Sequence, residues 1–303
     1  MPTISENRLT PILLLILAML LWSSSFVALK YAFQSYHPML VIFARMFIGT
    51  FCFLPFLKTF RRITISRRAL KYLLLMTFCE PCLYFIFEAK AIENTTASQA
   101  GMITAVLPLL VAILAWGILR ERVTRQTQLG FLCAVVGAVI LSLAAQESEY
   151  APNPLLGNFY EFLAMVCAAG YTISLKYLSR NLPPLFLTAI QAFVGAVFFL
   201  PFVLFTHSSL PEFHLSAVLA VVYLGTFVTF GAYGCYNFAV SRVPASQAAG
   251  FINLIPVFSV VLGMILLDER MNPMQLVACA LVFFGVYLSG VGRFRSKSST
   301  QKK

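Results

Sequence analysis

The sequence predicts an all-α polytopic membrane protein of ten transmembrane helices, arranged as two inverted five-helix repeats. Three observations predict it: the ratio of apolar to charged residues, the spacing of the apolar runs, and a self-similarity between the two halves of the chain. About 60% of the 303 residues are hydrophobic and 11% are charged, against roughly 25% charged in soluble domains. A soluble fold of this length must cover itself with polar side chains. This chain lacks them, and a lipid-facing surface needs none.

The apolar runs come first in the argument. A span needs about 20 predominantly apolar residues. Runs of that kind lie at 11–33, 37–57, 70–92, 97–119, 128–145, 156–178, 185–206, 216–239, 246–267 and 274–292. Short segments rich in charge, Pro and Asn separate them. The Ser-, Lys- and Gln-rich tail at 293–303 reads as irregular. The run after Arg8 is too long for a signal peptide and ends in no cleavage pattern.

Charge placement gives the orientation. Of 22 Lys and Arg, 18 fall on one side of the ten-span topology, including Lys58, Arg61, Arg62, Arg67, Arg68 and Lys71 in one segment. Lys30, Lys90 and Arg270 fall on the other, and Arg45 lies within a span. By the positive-inside rule both termini are cytoplasmic, and the chain sits in the inner (plasma) membrane. The net charge of +11 is thus topology information, and no basic stripe or reading helix suggests nucleic acid. The seven cysteines, Cys79 and Cys82 of a C-x-x-C among them, lie within apolar runs and read as small packing residues. No disulfide framework, metal site or cofactor is expected.

The self-similarity is the most informative feature. Leu17–Phe56 aligns without a gap on Leu163–Phe202, 146 residues later, with 13 of 40 positions identical. The identities include Leu29-Lys30-Tyr31 with Leu175-Lys176-Tyr177, Pro38 with Pro184, and Leu54-Pro55-Phe56 with Leu200-Pro201-Phe202. The match resumes at a spacing of 148: Ala97-Ser98-Gln99-Ala100 with Ala245-Ser246-Gln247-Ala248, Pro108 with Pro256, Glu121-Arg122 with Glu269-Arg270, and Gly137 with Gly285. A shared apolar bias would not place Pro, Gly, Gln, Glu and Lys in register. The first repeat occupies 1–146 and the second 154–292. Each holds five spans, an odd number, so the second enters from the opposite face. Inverted repeats can exchange conformations, opening one side and then the other.

Trp22 to Phe26 (Trp-Ser-Ser-Ser-Phe), Arg45-Met46-Phe47, and the doubled order Ala-Ser-Gln-Ala, mid-span Pro, Leu-x-Glu-Arg and Gly carry a resemblance. The chain resembles the drug/metabolite transporter superfamily in its EamA-type branch, over nearly its whole length. The resemblance implies ten helices, cytoplasmic termini and transport of small organic solutes, often export, with amino acids among the substrates of some members. One departure stands out: Trp22-Ser23 replaces the usual Trp-Gly, at a helix contact.

Pro108 and Pro256 occupy equivalent mid-span positions. A proline frees a carbonyl and kinks the helix, and paired interruptions point to a midplane site. Glu80 lies about ten residues, roughly 15 Å, into the third span, where a carboxylate must face a cavity or a partner. Arg45 enters from the other face to a comparable depth, so the two are expected to interact, as a coupling group for protons or as a buried ion pair. Tyr84 and Glu88 follow Glu80 at i+4 and i+8 on one helix face, with Glu88 either lining the cavity or solvated. Trp22, Ser25, Tyr171, Tyr236, Asn237 and Asn253 are the remaining candidate lining groups. Glu121 and Glu269 read as structural residues beside arginines that place the ends of the fourth and ninth spans, as solvated ion pairs rather than as gates. Lys30 and Lys176 read as snorkelling cations. Ala134, Gly137 and Ala138 read as packing residues within or between protomers, and the oligomeric state is open.

These residues favour a secondary transporter of small metabolites. A passive facilitator or channel is the alternative. An intramembrane enzyme would need a nucleophile–base pair or a metal motif, and no H-E-x-x-H or P-loop is present.

Overall fold

The computed structural model describes residues 9–119, 124–149, 151–206 and 212–300. Among them the chain is helical, with one isolated bridge between Ser148 and Ala151. In chain order the helices are α1 (Leu9–Phe33), α2 (Pro38–Phe60), α3 (Arg67–Asn94), α4 (Ala97–Ile118) and α5 (Arg125–Leu143). Then follow α6 (Pro154–Leu178), α7 (Pro184–Thr206), α8 (Leu215–Arg242), α9 (Ala245–Leu266) and α10 (Pro273–Thr300). Seven of them, α1 to α4 and α7 to α9, are long and apolar enough to cross a membrane. α5 and α10 carry shorter apolar stretches, Gln128–Leu143 and Pro273–Gly285. α6 has the length, 25 residues, but carries Asn158, Glu161 and Lys176.

Local signals set the helix starts. Ser66 accepts the Ala69 amide at the start of α3, and Thr96 accepts the Gln99 amide at the start of α4. Asn153 accepts the Leu156 amide ahead of Pro154, and His37 accepts the Met39 amide ahead of Pro38. Each is an N-cap that satisfies an amide the helix cannot, and proline at the first helical position fits because its missing N–H is not needed there. Inside the helices the backbone bonds to itself, as hydrocarbon demands.

The outward faces are apolar. Leu13, Phe51, Leu74, Phe159, Phe193, Phe205 and Phe227 are exposed, which suits contact with lipid tails. The inward faces carry small residues and the polar groups. α5 and α10 pack against each other so closely that glycine is required. A Cβ on Gly137 would meet Val282 at 2.7 Å and the Ala278 carbonyl at 2.9 Å. One on Gly285 would meet the Gly130 carbonyl at 2.5 Å. These small residues therefore act within one chain, letting backbones approach. Ser23, at the position of the departure in the first span, bonds to the Met19 carbonyl at 2.6 Å and sits 3.4 Å from the Ile255 carbonyl of α9.

Two expectations about the ends are corrected. The basic tail continues α10 as helix to Thr300, since no proline interrupts 293–300 and its Arg and Lys favour helix. Lys176 does not snorkel. Its ammonium donates to the Val240 and Val243 carbonyls at 2.8 and 2.6 Å, capping the last turn of α8, where carbonyls lack partners.

Three helices are broken where their inner faces meet. In α3 the backbone at Glu80 is extended (φ −147°, ψ 118°) just before Pro81. In α4 a 3₁₀ turn, Thr104–Val106, precedes Pro108. In α9 a turn at 252–253 precedes Pro256. α8 is continuous but widened into a π-helical stretch, Leu224–Ala232. Such irregular backbone at membrane depth is tolerated only where protein or a cavity surrounds it.

Candidate functional site

The breaks surround a small cavity of about 40 Å³, room for a few waters. Trp22, Ser25 and Phe26 of α1 line it, with Arg45 of α2 and Glu80, Tyr84 and Glu88 of α3. Thr104 and Leu107 come from α4, Met165, Ala168, Tyr171 and Thr172 from α6, Tyr233 and Tyr236 from α8, and Ile252 and Ile255 from α9. Eight of the residues singled out from sequence thus meet in one chamber. Asn237, Asn253, Pro108 and Pro256 do not line it: Asn237 is buried behind Tyr171, Asn253 lies in the turn before Pro256, and the prolines follow the helix breaks.

Arg45 is 1% exposed and is held by groups from two other helices. Its Nη1 lies 3.5 Å from Glu88 Oε2, and its Nε donates to Thr229 Oγ1 of α8 at 3.3 Å. The guanidinium also lies over the Phe85 ring, 4.5 Å from its centre, a cation–π contact. Nη1 makes no hydrogen bond of its own. The ion-pair partner of Arg45 is therefore Glu88, where the sequence reading paired it with Glu80. The break at Glu80 explains the difference: an extended residue ends the regular helix face, so Glu80 and Glu88 do not project as i and i+8 would. Glu88 is not solvated either. It is 4% exposed and accepts the Tyr84 hydroxyl at 2.9 Å.

Glu80 faces the chamber separately, on the same cavity as Tyr233. Trp22 forms the opposite wall, its ring 5.1 Å from that of Tyr233 and 4.8 Å from that of Tyr236. Its indole N–H is buried without a partner. The chamber thus presents one cation, two carboxylates, an unmet donor and an aromatic wall in a space from which bulk water is excluded.

Beside it lies a neutral cluster. The Tyr171 hydroxyl sits 2.9 Å from Gln191 Oε1 and 2.6 Å from Asn237 Oδ1, and Asn237 donates to Thr188 at 2.9 Å. Thr172 and Tyr236 share a hydrogen bond at 3.2 Å. These contacts join α6, α7 and α8.

One end of the bundle is tied by a third set of contacts. The Glu269 carboxylate, in the turn after α9, accepts the Ala97 and Ser98 amides at 2.8 and 2.9 Å. It is an anion on the N-terminus of α4, not the solvated ion pair expected beside Arg270. Its mate Glu121 lies outside the described residues. Below this contact Thr95, Gln99, Ser142 and Asn158 bond to one another at 2.8–3.1 Å. The Gln of the Ala-Ser-Gln-Ala motif is thus a joint between α4 and α6.

Sequence reasoning missed Thr229, Gln191 and, above all, Glu161 of α6. Glu161 is 0% exposed, and neither carboxylate oxygen has a hydrogen-bond partner. A charged residue five positions into an apolar run was the available signal.

A small polar chamber inside a bundle whose exterior suits lipid defines a class, the membrane transporters of small solutes. The chain belongs to the EamA-like transporter family, whose model matches residues 9–143 and again 155–291. It is 29% identical to "Uncharacterized transporter YetK" of Bacillus subtilis, over 74% of this chain and 69% of that one. It is 27% identical to an "Uncharacterized transporter" of Archaeoglobus fulgidus, over 91% and 97%. It is also 24% identical to a "Probable terminal-alkyne amino-acid exporter" of Streptantibioticus cattleyicolor, over 69% and 70%. A solved crystal structure at 21% identity superposes with a TM-score of 0.69 over 94% of this chain and 98% of that one, a likeness of fold.

Proposed function

We propose that the protein is a secondary transporter of small zwitterionic metabolites, amino acids or close relatives, working by alternating access across the inner membrane. The observation that carries this reading is the placement of Arg45 and Glu80 on one aromatic-walled chamber. Glu80 takes the ammonium end of the substrate. Arg45, whose Nη1 has no hydrogen bond, takes the carboxylate end, since a guanidinium matches a carboxylate better than any other side chain. Trp22, Tyr233 and Tyr236 hold the apolar part. At about 40 Å³ the chamber is small, and substrate enters only after it widens. The breaks before Pro108 and Pro256 are the hinges.

In this reading all ten helices span the membrane as two inverted repeats, 1–146 and 154–292, with both termini cytoplasmic. The two matches to one family model support the repeat, and the basic segments support the orientation. Export is the favoured direction, by analogy with the relative named as an amino-acid exporter.

The test is reconstitution in liposomes and a screen of pooled amino acids and related metabolites for counterflow, then for uptake with and without a pH gradient. Saturable counterflow that Glu80→Gln weakens at least about tenfold supports the reading; losing one charge-assisted contact costs that much. Flux that neither saturates nor exchanges indicates a passive channel instead. No flux of any compound overturns the transporter reading for this substrate class.

A further inference from the structure

Glu161 belongs to none of the three groups of contacts. It does not line the chamber. It lies one turn along α6 from Asn158, between the chamber and the Thr95, Gln99, Ser142 and Asn158 joint. The residue is fully buried, and both carboxylate oxygens lack hydrogen-bond partners. A bare carboxylate cannot persist there, because an isolated buried anion is neutralised instead.

The groups around Glu161 identify the ligand. From α3, the ionisable groups on this side are Glu88 and the Tyr84 phenol, which are bonded to each other. Arg45 of α2 pairs with Glu88 and not with Glu161. Among the described residues, α4, α5, α8 and α9 set no charged group against Glu161. The nearby side-chain oxygens of Asn158 and Gln99 accept from within their own joint. A metal cation would therefore find one carboxylate and no further ligands, and a substrate ammonium would have to leave the chamber. A second carboxylate beside Glu88 would also leave two anions to one guanidinium.

We propose that Glu161 is a proton-binding site, distinct from the substrate chamber, which is occupied in this closed conformation. It exchanges its proton with the water on the Glu269 side when the joint around Gln99 opens. The reading rests on the transporter assignment and adds the coupling ion: the closed state binds the proton and the open state releases or reloads it. Coupling then resides at Glu161, and Glu80 is left to the substrate.

Two measurements test this. The first is infrared spectroscopy of the protein in lipid at neutral pH, wild type beside Glu161→Gln. A neutral-acid carbonyl band present in the wild type and lost in Glu161→Gln is expected. The second is transport. Glu161→Gln should bring the ratio of uptake with and without a pH gradient to about one while counterflow stays within about twofold, because a site that no longer differs between states cannot bias them. Glu161→Asp, which keeps the carboxyl, should retain the gradient response. A band unchanged in Glu161→Gln, a wild type lacking any such band, or an undiminished gradient response in Glu161→Gln would overturn the proposal. If no substrate moves at all, the transporter reading fails, and the infrared result still decides whether Glu161 holds a proton.

Discussion

Two buried polar clusters lie side by side, and they differ in kind. On α2 and α3, Arg45, Glu80, Tyr84 and Glu88 put a guanidinium, two carboxyl groups and a phenol around the chamber. On α6, α7 and α8, Tyr171, Thr188, Gln191 and Asn237 form a neutral set. The register of the halves brings them into correspondence. Arg45 aligns with Gln191, Ser25 with Tyr171, and Glu88 with Tyr236. The same places in two similar halves hold charges in one and amides or hydroxyls in the other. The neutral set is joined by hydrogen bonds among its own members, whereas in the charged set Arg45 Nη1, and Trp22 Nε1 beside it, make no hydrogen bond. Buried polar groups are normally satisfied. In the function proposed above, one cluster joins helices and the other takes the substrate. Symmetric scaffolding has thus been given asymmetric chemistry.

The comparison can be broken most forcefully at Arg45. Arg45→Leu strands Glu88 without its cation, and breaking a buried pair this way costs about 3–5 kcal/mol. Thermal unfolding in detergent should show the largest loss of any single substitution in either cluster. Next comes the exchange of one half's chemistry for the other's. Arg45→Gln with Glu88→Tyr installs the residues found at the matching positions. It should unfold at higher temperature than Arg45→Gln alone, since Glu88 is no longer left without its cation, yet show no counterflow. Recovered stability with full transport would mean that the charges are dispensable. A smaller effect is expected at the joint. Tyr171→Phe removes one hydroxyl and should cost about 1 kcal/mol, leaving counterflow nearly intact. Smallest is Glu269→Gln at the start of α4, which removes the charge and keeps one oxygen, enough to accept one of the Ala97 and Ser98 amides, with water free to take the other. A loss of about 0.5 kcal/mol is expected at this partly exposed site, visible as faster hydrogen exchange of those amides.

How much of this was legible before the fold was known varies by residue. Apolar runs and the doubled Pro, Gly and Gln positions marked the helices and their breaks, because lipid and backbone sterics act on sequence locally. The chamber's membership followed from charge at membrane depth, so Arg45, Glu80 and Glu88 were all found. The pairing was not. An extended residue at Glu80 redirects the side chains of α3, and no i+4 rule anticipates it. Glu269 looked like a loop residue because its partners, the Ala97 and Ser98 amides, are backbone and leave no mark in sequence. Glu161 was passed over because its run reads as apolar on both sides, and only burial reveals that nothing offsets its charge. Lys176 was misread for a similar reason: its acceptors are carbonyls in the last turn of another helix.

The central claim, that the charged cluster receives substrate and the neutral one holds helices, can be tested with the protein's own fluorophore. The chain has two tryptophans. Trp22 stands in the chamber wall and Trp116 is exposed on α4. In a Trp116→Phe background, titration with an exchanging amino acid should change Trp22 emission saturably. The account predicts that Glu80→Gln abolishes this change and Tyr171→Phe preserves it. A saturable change that survives Glu80→Gln and disappears in Tyr171→Phe would contradict it.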